Sequence, residues 1–262
     1  MLTSRILGTI KSIYRLMYPP VVTWSGDYKK WVHAEEDCEG YSSTEIADKA
    51  FTATLKSIDG SASYSRDGVC FEVAEYNWQL VSLVYRLRLK LGRTIRVLDF
   101  GGAFGDAFLQ NAGLIGDSIA SWTVIEQESM RIRAKNLPLV DKLTFKTLPD
   151  IDNGSIDLVL LSSVLQYLSE PDGIIAELVG LDADGILVDR TGFVPRNRND
   201  DRITKQSVRP PIYTATYPCR FFSRPEFIKR FSPYSLVVEW SDSDLANIPS
   251  RFLGMYFEKS KE

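Results

Sequence analysis

Apolar positions along this chain change their spacing near residue 95. Before it the texture is helical and aromatic. Leu2, Ile6, Ile10, Ile13 and Met17 recur at helical spacing with Arg5, Lys11 and Arg15 among them, and Pro19 and Pro20 stop the run, so residues 1–22 read as a short amphipathic helix. Residues 23–75 are aromatic and irregular, with helices expected near 43–58 and 70–91. The second is marked by Val73, Tyr76, Trp78, Leu80, Val84, Leu87 and Leu91 and is ended by Gly92. From Ile95 short apolar runs alternate with helical patterns. Strands are expected at Ile95–Phe100, Trp122–Glu126, Leu143–Thr147, Ile156–Ser162 and Gly185–Asp189, with helices at Ala103–Ala112, 128–136 and 171–180 between them. Ser223-Arg-Pro-Glu226 reads as a capping box opening a helix to Phe231. Leu236–Trp240 and Phe252–Phe257 close the chain as a pair of antiparallel strands.

Alternation of strand and helix implies a parallel sheet covered on both faces. Residues 1–92 are expected to form a helical, aromatic extension that caps the site, and residues 93–262 the α/β domain. The stretch 190–222 should be a long basic loop within that domain.

Composition narrows the function classes. The 262 residues carry a net charge of −3, which argues against non-specific binding of nucleic acid, since that affinity rests on clustered Lys and Arg. Three scattered cysteines and one histidine argue against a disulfide frame and against a metal centre, and point to a cytoplasmic setting. No run of 18 apolar residues spans a membrane. The N-terminal helix is left with two readings: docking on the domain or on a second subunit, or lying on the inner face of the membrane.

The chemistry concentrates at Val97-Leu-Asp-Phe-Gly-Gly-Ala-Phe-Gly105, where a buried strand runs through a glycine turn into a helix. The free N–H groups at that helix start suit a carboxylate, and Asp99 at the strand end could accept from an ammonium or a water. Glu126 ends the next strand, 21 residues after Gly105, where an acid can take both hydroxyls of a ribose. A nicotinamide dinucleotide would want glycine at 101, 103 and 106. Ala103 and Asp106 stand at the last two, and Asp106 would repel a pyrophosphate. Ser162 and Ser163 sit at the carboxyl end of the fourth strand, where open α/β sheets bind ligands, with Gln166 and Tyr167 one turn on.

In this order the motifs of residues 95–190 resemble those of class I S-adenosylmethionine-dependent methyltransferases. The resemblance implies a seven-stranded, mostly parallel Rossmann-like sheet with a terminal antiparallel hairpin. It implies S-adenosylmethionine as cofactor and S-adenosylhomocysteine as product. Asp99, Gly101, Gly102 and Gly105 would surround the methionine moiety. Glu126 would bind the ribose with Gln127 beside it, Leu148 would lie near the adenine, and Ser162 and Ser163 would face the sulfonium. A narrower likeness rests on Trp24-Ser-Gly-Asp-Tyr-Lys-Lys-Trp31, Gly40-Tyr41 and Val188-Asp-Arg-Thr191. These resemble a family of inferred bacterial methyltransferases commonly associated with surface-polysaccharide synthesis.

The acceptor is less marked. Ser162-Ser-Val-Leu stands where amine methyltransferases carry an Asn/Asp-Pro-Pro-aromatic motif, which favours oxygen or ring-carbon acceptors. From Arg190 to Arg224 eight cations face two acids, a local charge of +6, interleaved with Tyr213, Tyr217, Phe221 and Phe222. Arginines pair with phosphate and carboxylate, so an anionic glycan or sugar is the expected partner, held by Arg190, Tyr217, Arg220 and Tyr41. The alternative is a basic loop paired with acidic neighbours. Trp24, Tyr28, Trp31 and Tyr41 either roof that pocket or form an aromatic mini-core. If an alcohol needs a general base, Asp189, His33, Tyr213 and Tyr167 are the candidates. A methyltransferase of another small molecule or of nucleic acid, and a non-catalytic adenosyl-binding subunit, stay open.

Overall fold

The computed structural model describes residues 20–39, 43–138, 140–210 and 212–259. The first 19 residues of the expected N-terminal helix, and Tyr41, lie outside the described residues. A seven-stranded sheet forms the body. In chain order its strands are β4 (Ile95–Phe100), β5 (Ile119–Ile125), β6 (Leu143–Lys146), β7 (Leu158–Ser162), β8 (Gly185–Phe193), β11 (Tyr234–Ser241) and β12 (Arg251–Lys259). Their order across the sheet is β11-β12-β8-β7-β4-β5-β6. Contacts among β4 to β8 are parallel, and β12 runs antiparallel to both β8 and β11. This is the Rossmann-like methyltransferase sheet with its terminal hairpin.

Alternation within the strands fills two cores. Val97, Leu158, Leu160 and Leu187 face one side, against α3 (Trp78–Leu91) and α4 (Asp106–Ile115). Leu98, Val159, Leu161, Ile186 and Val188 face the other, against α6 (Pro171–Gly180) and α7 (Arg224–Lys229). At the amino end of β7, Asp157 is 1% exposed and accepts bonds from both Arg93 and Arg96. Burial pushes its pKa up, but those two guanidinium groups outweigh burial and hold the carboxyl well below the usual carboxylate range.

The rest departs from the sequence reading in four places. Val22–Tyr28, expected to be irregular, is strand β1. The stretch 190–222, expected as a long basic loop, is largely strand: β8 continues to Phe193, and β9 (Arg202–Val208) and β10 (Ala215–Phe221) follow. These join β1 in a three-stranded antiparallel sheet of order β1-β9-β10. Its inner face carries polar residues with partners, Thr204 bonding to the Cys219 carbonyl and Gln206 to three neighbours, so the sequence shows no apolar alternation there. Strand β1 of the extension thereby pairs with β9 of the C-terminal half.

Helix α3 starts at Trp78, not at 70. Val69–Phe71 is strand β3, paired with β2 (Tyr64–Arg66) through a turn at Asp67 and Gly68, both at positive φ. Asn77 caps the helix by accepting from the Leu80 N–H. The Ser223–Glu226 capping box does not form. The Ser223 hydroxyl is buried without a partner, and Glu226 pairs with Lys229. Two further helices, α1 (Trp31–Glu36) and α2 (Ser43–Ile58), belong to the extension, and α5 (Glu128–Ala134) follows β5. Among the described residues no helix is long and apolar enough to cross a membrane.

Candidate cofactor and acceptor site

The carboxyl end of β4 enters the glycine turn. Gly101 and Gly105 take φ of +72° and +87°, which side chains rarely adopt. A Cβ on Gly101 would come within 2.4 Å of Val164, on Gly102 within 2.3 Å of Asp99, and on Gly105 within 2.7 Å of Leu143. All three glycines are thus required by the packing of the turn itself. Ala103 also sits at positive φ, +51°, where the fold would accept glycine without strain. Gly105 opens α4 with no side-chain cap, leaving N–H groups of that helix start without a side-chain acceptor.

Across the turn, Glu126 at the end of β5 binds it directly. The Ala103 N–H donates to one carboxylate oxygen and the Gln127 N–H to the other, each at 3.0 Å. Gly101 N–H donates to the Ile125 carbonyl. Turn and acid are therefore one rigid unit. A carboxylate offers about four lone-pair sites, so two remain for a diol. Burial raises the pKa of Glu126. Gln127 is exposed and Leu148 is half-buried on the turn after β6.

Asp99 is 1% exposed and lies beneath the turn, accepting from the indole N–H of Trp122 at 3.1 Å. Burial pushes its carboxyl up to about 7. It supports the turn from below instead of reaching into open space. Asp106, in the first turn of α4, is likewise pushed up to about 7 by burial, with the hydroxyls of Thr54 at 2.8 Å and Ser65 at 3.0 Å donating to it. Those hydroxyls come from α2 and β2, so the extension is tied to the glycine turn. Sequence reasoning missed this link, because a Thr in a helix and a Ser in a three-residue strand carry no signal of their own.

Just past β7, and at the register shift inside β8, the backbone is strained. Ser163 and Arg190 both take positive φ, +52° and +49°. The amide of Gln166, 2% exposed, donates to the Ser163 hydroxyl and to the Arg190 carbonyl and ties the two segments together. Ser163 N–H donates to the Asp189 carbonyl. The glycine turn meets this corner through Gly101 and Val164.

The base candidates are not brought together. Asp189 is 3% exposed and accepts from Asn77 at 2.7 Å, and burial raises its pKa. His33 is exposed on α1. Tyr213 is half-buried at the end of a polar chain on the inner face of the small sheet. Its hydroxyl meets that of Tyr217 at 3.2 Å, the Gln206 amide N–H donates to Tyr217, and Tyr167 and Trp24 donate to Gln206. Burial raises the pKa of both Tyr167 and Tyr213. Trp24 packs on Phe221 and Phe252, making it part of a mini-core.

The basic residues are largely paired. Arg190 is held by Asp244 at 3.0 Å and Asp67 at 3.3 Å. Burial works against its charge, but those two carboxylates outweigh it. Arg198 pairs with Asp27 and Asp200, and Lys205 with Asp37. Tyr217 and Arg220 are three residues apart on one regular strand, so they point to opposite faces. Tyr217 contacts Tyr167 inside, while Arg220 lies over Trp31 outside. Among the described residues no group of His, Cys, Asp and Glu is arranged to hold a metal ion.

The sheet order is that of the Rossmann-like methyltransferase fold. No family model matches the chain, and no curated protein matches it. Among solved structures, it is similar to a Burkholderia thailandensis 1,6-didemethyltoxoflavin N1-methyltransferase with S-adenosylhomocysteine bound. That match has 14% identity over 85% of this chain and 92% of the other, with a TM-score of 0.45. It is also similar to an amino pentose methyltransferase of Micromonospora echinaspora with S-adenosylmethionine bound, at 16% identity over 71% and 92% and a TM-score of 0.44. A sugar N-methyltransferase of a Streptoalloteichus species matches at 12% identity over 69% and 87%, with a TM-score of 0.45. Identities this low bear on chain path alone.

Proposed function

We propose that the chain is an S-adenosylmethionine-dependent methyltransferase acting on an oxygen of a saccharide, in surface-polysaccharide synthesis. The observation that carries the cofactor half is the coupling of glycine turn and acid, with Glu126 clasping the Ala103 N–H while keeping lone pairs for a ribose. The residues fit the ligand. Gly101, Gly102 and Gly105 leave backbone without side chains, the uncapped start of α4 suits the methionine carboxylate, and no phosphate has to approach Asp106. Asp99 stiffens the turn, Gln127 and Leu148 would flank the adenine, and Ser162 and Ser163 would face the sulfonium.

The bound cofactor would supply an electrophilic methyl group. An acceptor oxygen would take that methyl group, leaving the electron pair on the cofactor's sulfur, and would give up its proton to water. The protein's part is to position the oxygen and exclude water. Tyr213 and Tyr217 offer hydroxyls on the inner face for sugar hydroxyls. Asp189 is committed to Asn77, His33 is solvent-exposed, and burial keeps the Tyr213 phenol protonated, so Tyr213 serves to orient the acceptor by donating a hydrogen bond and the proton leaves to water. That same commitment of Asp189 supports a second reading, a non-catalytic adenosyl-binding subunit.

Calorimetry with S-adenosylmethionine and S-adenosylhomocysteine tests the cofactor half. Labelled methyl transfer to nucleotide sugars and lipid-linked glycans tests the acceptor. Saturable cofactor binding with no transfer to any acceptor would favour the second reading. No binding of either ligand at millimolar concentration would end both.

A further inference from the structure

Outside the small sheet, a hollow of about 570 Å³ lies between α1, the start of α6 and the outer face of β9 and β10. It is separated by the thickness of that sheet from the tyrosines of the inner face. Its floor is apolar and cationic: Trp31, Pro171 and Ile203 with Arg220 and Arg230. The two arginine side chains are only 15% and 19% exposed. Arg220 is fixed by lying 5.5 Å from the ring of Trp31 and by donating to the Ser169 carbonyl. Arg230 lies over Phe222 and donates to Asp201.

The charge on this floor is not balanced. One carboxylate, Asp201, serves both guanidinium groups, at 3.0 Å from Arg230 and 3.6 Å from Arg220, so two cations share one anion. Arg220 Nε and Arg230 Nη1 are buried with no acceptor. The remaining acids, Glu35, Glu170 and Asp172, are exposed at the rim. Asp172 does reach Arg230, but a 69% exposed carboxylate is well solvated and contributes little there. Lys30 adds a further cation at the mouth. Two guanidinium groups and the single carboxylate of Asp201 thus lie inside, with the other carboxylates out at the rim, and the one surplus positive charge of the floor suits an anion.

We propose that this hollow is a second ligand site, distinct from the cofactor site, which takes the phosphate group of a phosphosugar. A fork of guanidinium donors matches the oxygens of a phosphate. The volume exceeds what one phosphate fills, and Trp31, Pro171 and Ile203 supply apolar wall for the C–H face of a sugar ring. The hollow needs no cofactor and no methyl transfer to bind, so it stands or falls separately from the function proposed above.

The test is calorimetry on the full chain with inorganic phosphate, a hexose 1-phosphate and the free hexose. Both phosphates should saturate, the hexose phosphate more tightly, and the free hexose should not register. Arg220→Gln should weaken binding about tenfold or more, the scale of losing a charge-assisted bond. Arg220→Lys, which keeps the charge and loses the fork, should fall between. Affinity for S-adenosylhomocysteine should be unchanged in both variants, which also reports that they fold. No saturation by either phosphate up to roughly 10 mM, or unaltered binding in Arg220→Gln, would overturn the site. A hexose phosphate no tighter than inorganic phosphate would overturn the sugar half.

Discussion

Glu126→Gln separates the acid's duty to the fold from its duty to a ligand. In the native chain two backbone N–H groups, from Ala103 and Gln127, each find a different carboxylate oxygen at 3.0 Å. Glutamine keeps the shape but has a single acceptor oxygen. One N–H must then face an NH₂ group and lose its partner. A buried donor left unsatisfied costs about 1–3 kcal/mol, so the variant should lose roughly that much unfolding free energy. Glu126→Ala loses both bonds but lets water into the gap, and should cost about 2–4 kcal/mol. For the cofactor, losing hydrogen bonds to the ribose hydroxyls in a half-buried site should remove a further 1–3 kcal/mol or so, an affinity roughly 5- to 150-fold weaker. Urea unfolding measures the first effect. Calorimetry with S-adenosylhomocysteine, well below the unfolding temperature, measures the second without contamination by the first. A Glu126→Gln protein that binds S-adenosylhomocysteine within about twofold of the parent would refute the assignment of the acid to the ribose. Unchanged stability would refute the reading of turn and acid as one unit.

Further outcomes are expected. Asp99 and Asp106 have native pKa values raised by burial to about 7, against an unfolded value near 3.8. Their contribution to stability is therefore present at low pH and is lost as pH rises from about 4 to 7. S-adenosylmethionine carries one net positive charge and should bind more tightly as these groups ionise, by up to about tenfold per pH unit per group below 7. S-adenosylhomocysteine, without the sulfonium charge, should respond less. Calorimetry at pH 6 and 8 showing flat or falling affinity for the methyl donor would contradict this. Asp157 runs the other way, because its lowered pKa contributes stability above about 4 that is lost on acidification. Asp157→Ala would remove the carboxylate shared by Arg93 and Arg96, which are 47% and 33% exposed and regain water, and should cost about 1–3 kcal/mol in urea unfolding, with cofactor affinity retained.

Local chemistry made the central sheet and its turn legible. A buried strand, three glycines and a helix start at 97–105 follow from contacts within a few residues, and the structure gives each of those glycines a steric reason. Strands β4, β5, β7 and β12 fall where apolar runs put them, because burial on both faces leaves no polar alternation to misread. The small sheet was hidden for the opposite reason. β1 and β9 lie some 180 residues apart, their inner face is lined by Thr204 and Gln206, and pairing between polar strands has no periodic signature. Charge was visible only as a sum. A surplus of +6 between Arg190 and Arg224 says nothing of Asp67, Asp244, Asp27 or Asp37, which reach those cations from other parts of the chain. Which face a residue takes was likewise a tertiary matter. Tyr217 and Arg220 are near neighbours in sequence, and once the strand forms its pleat sends one to the interior and the other to the outer hollow.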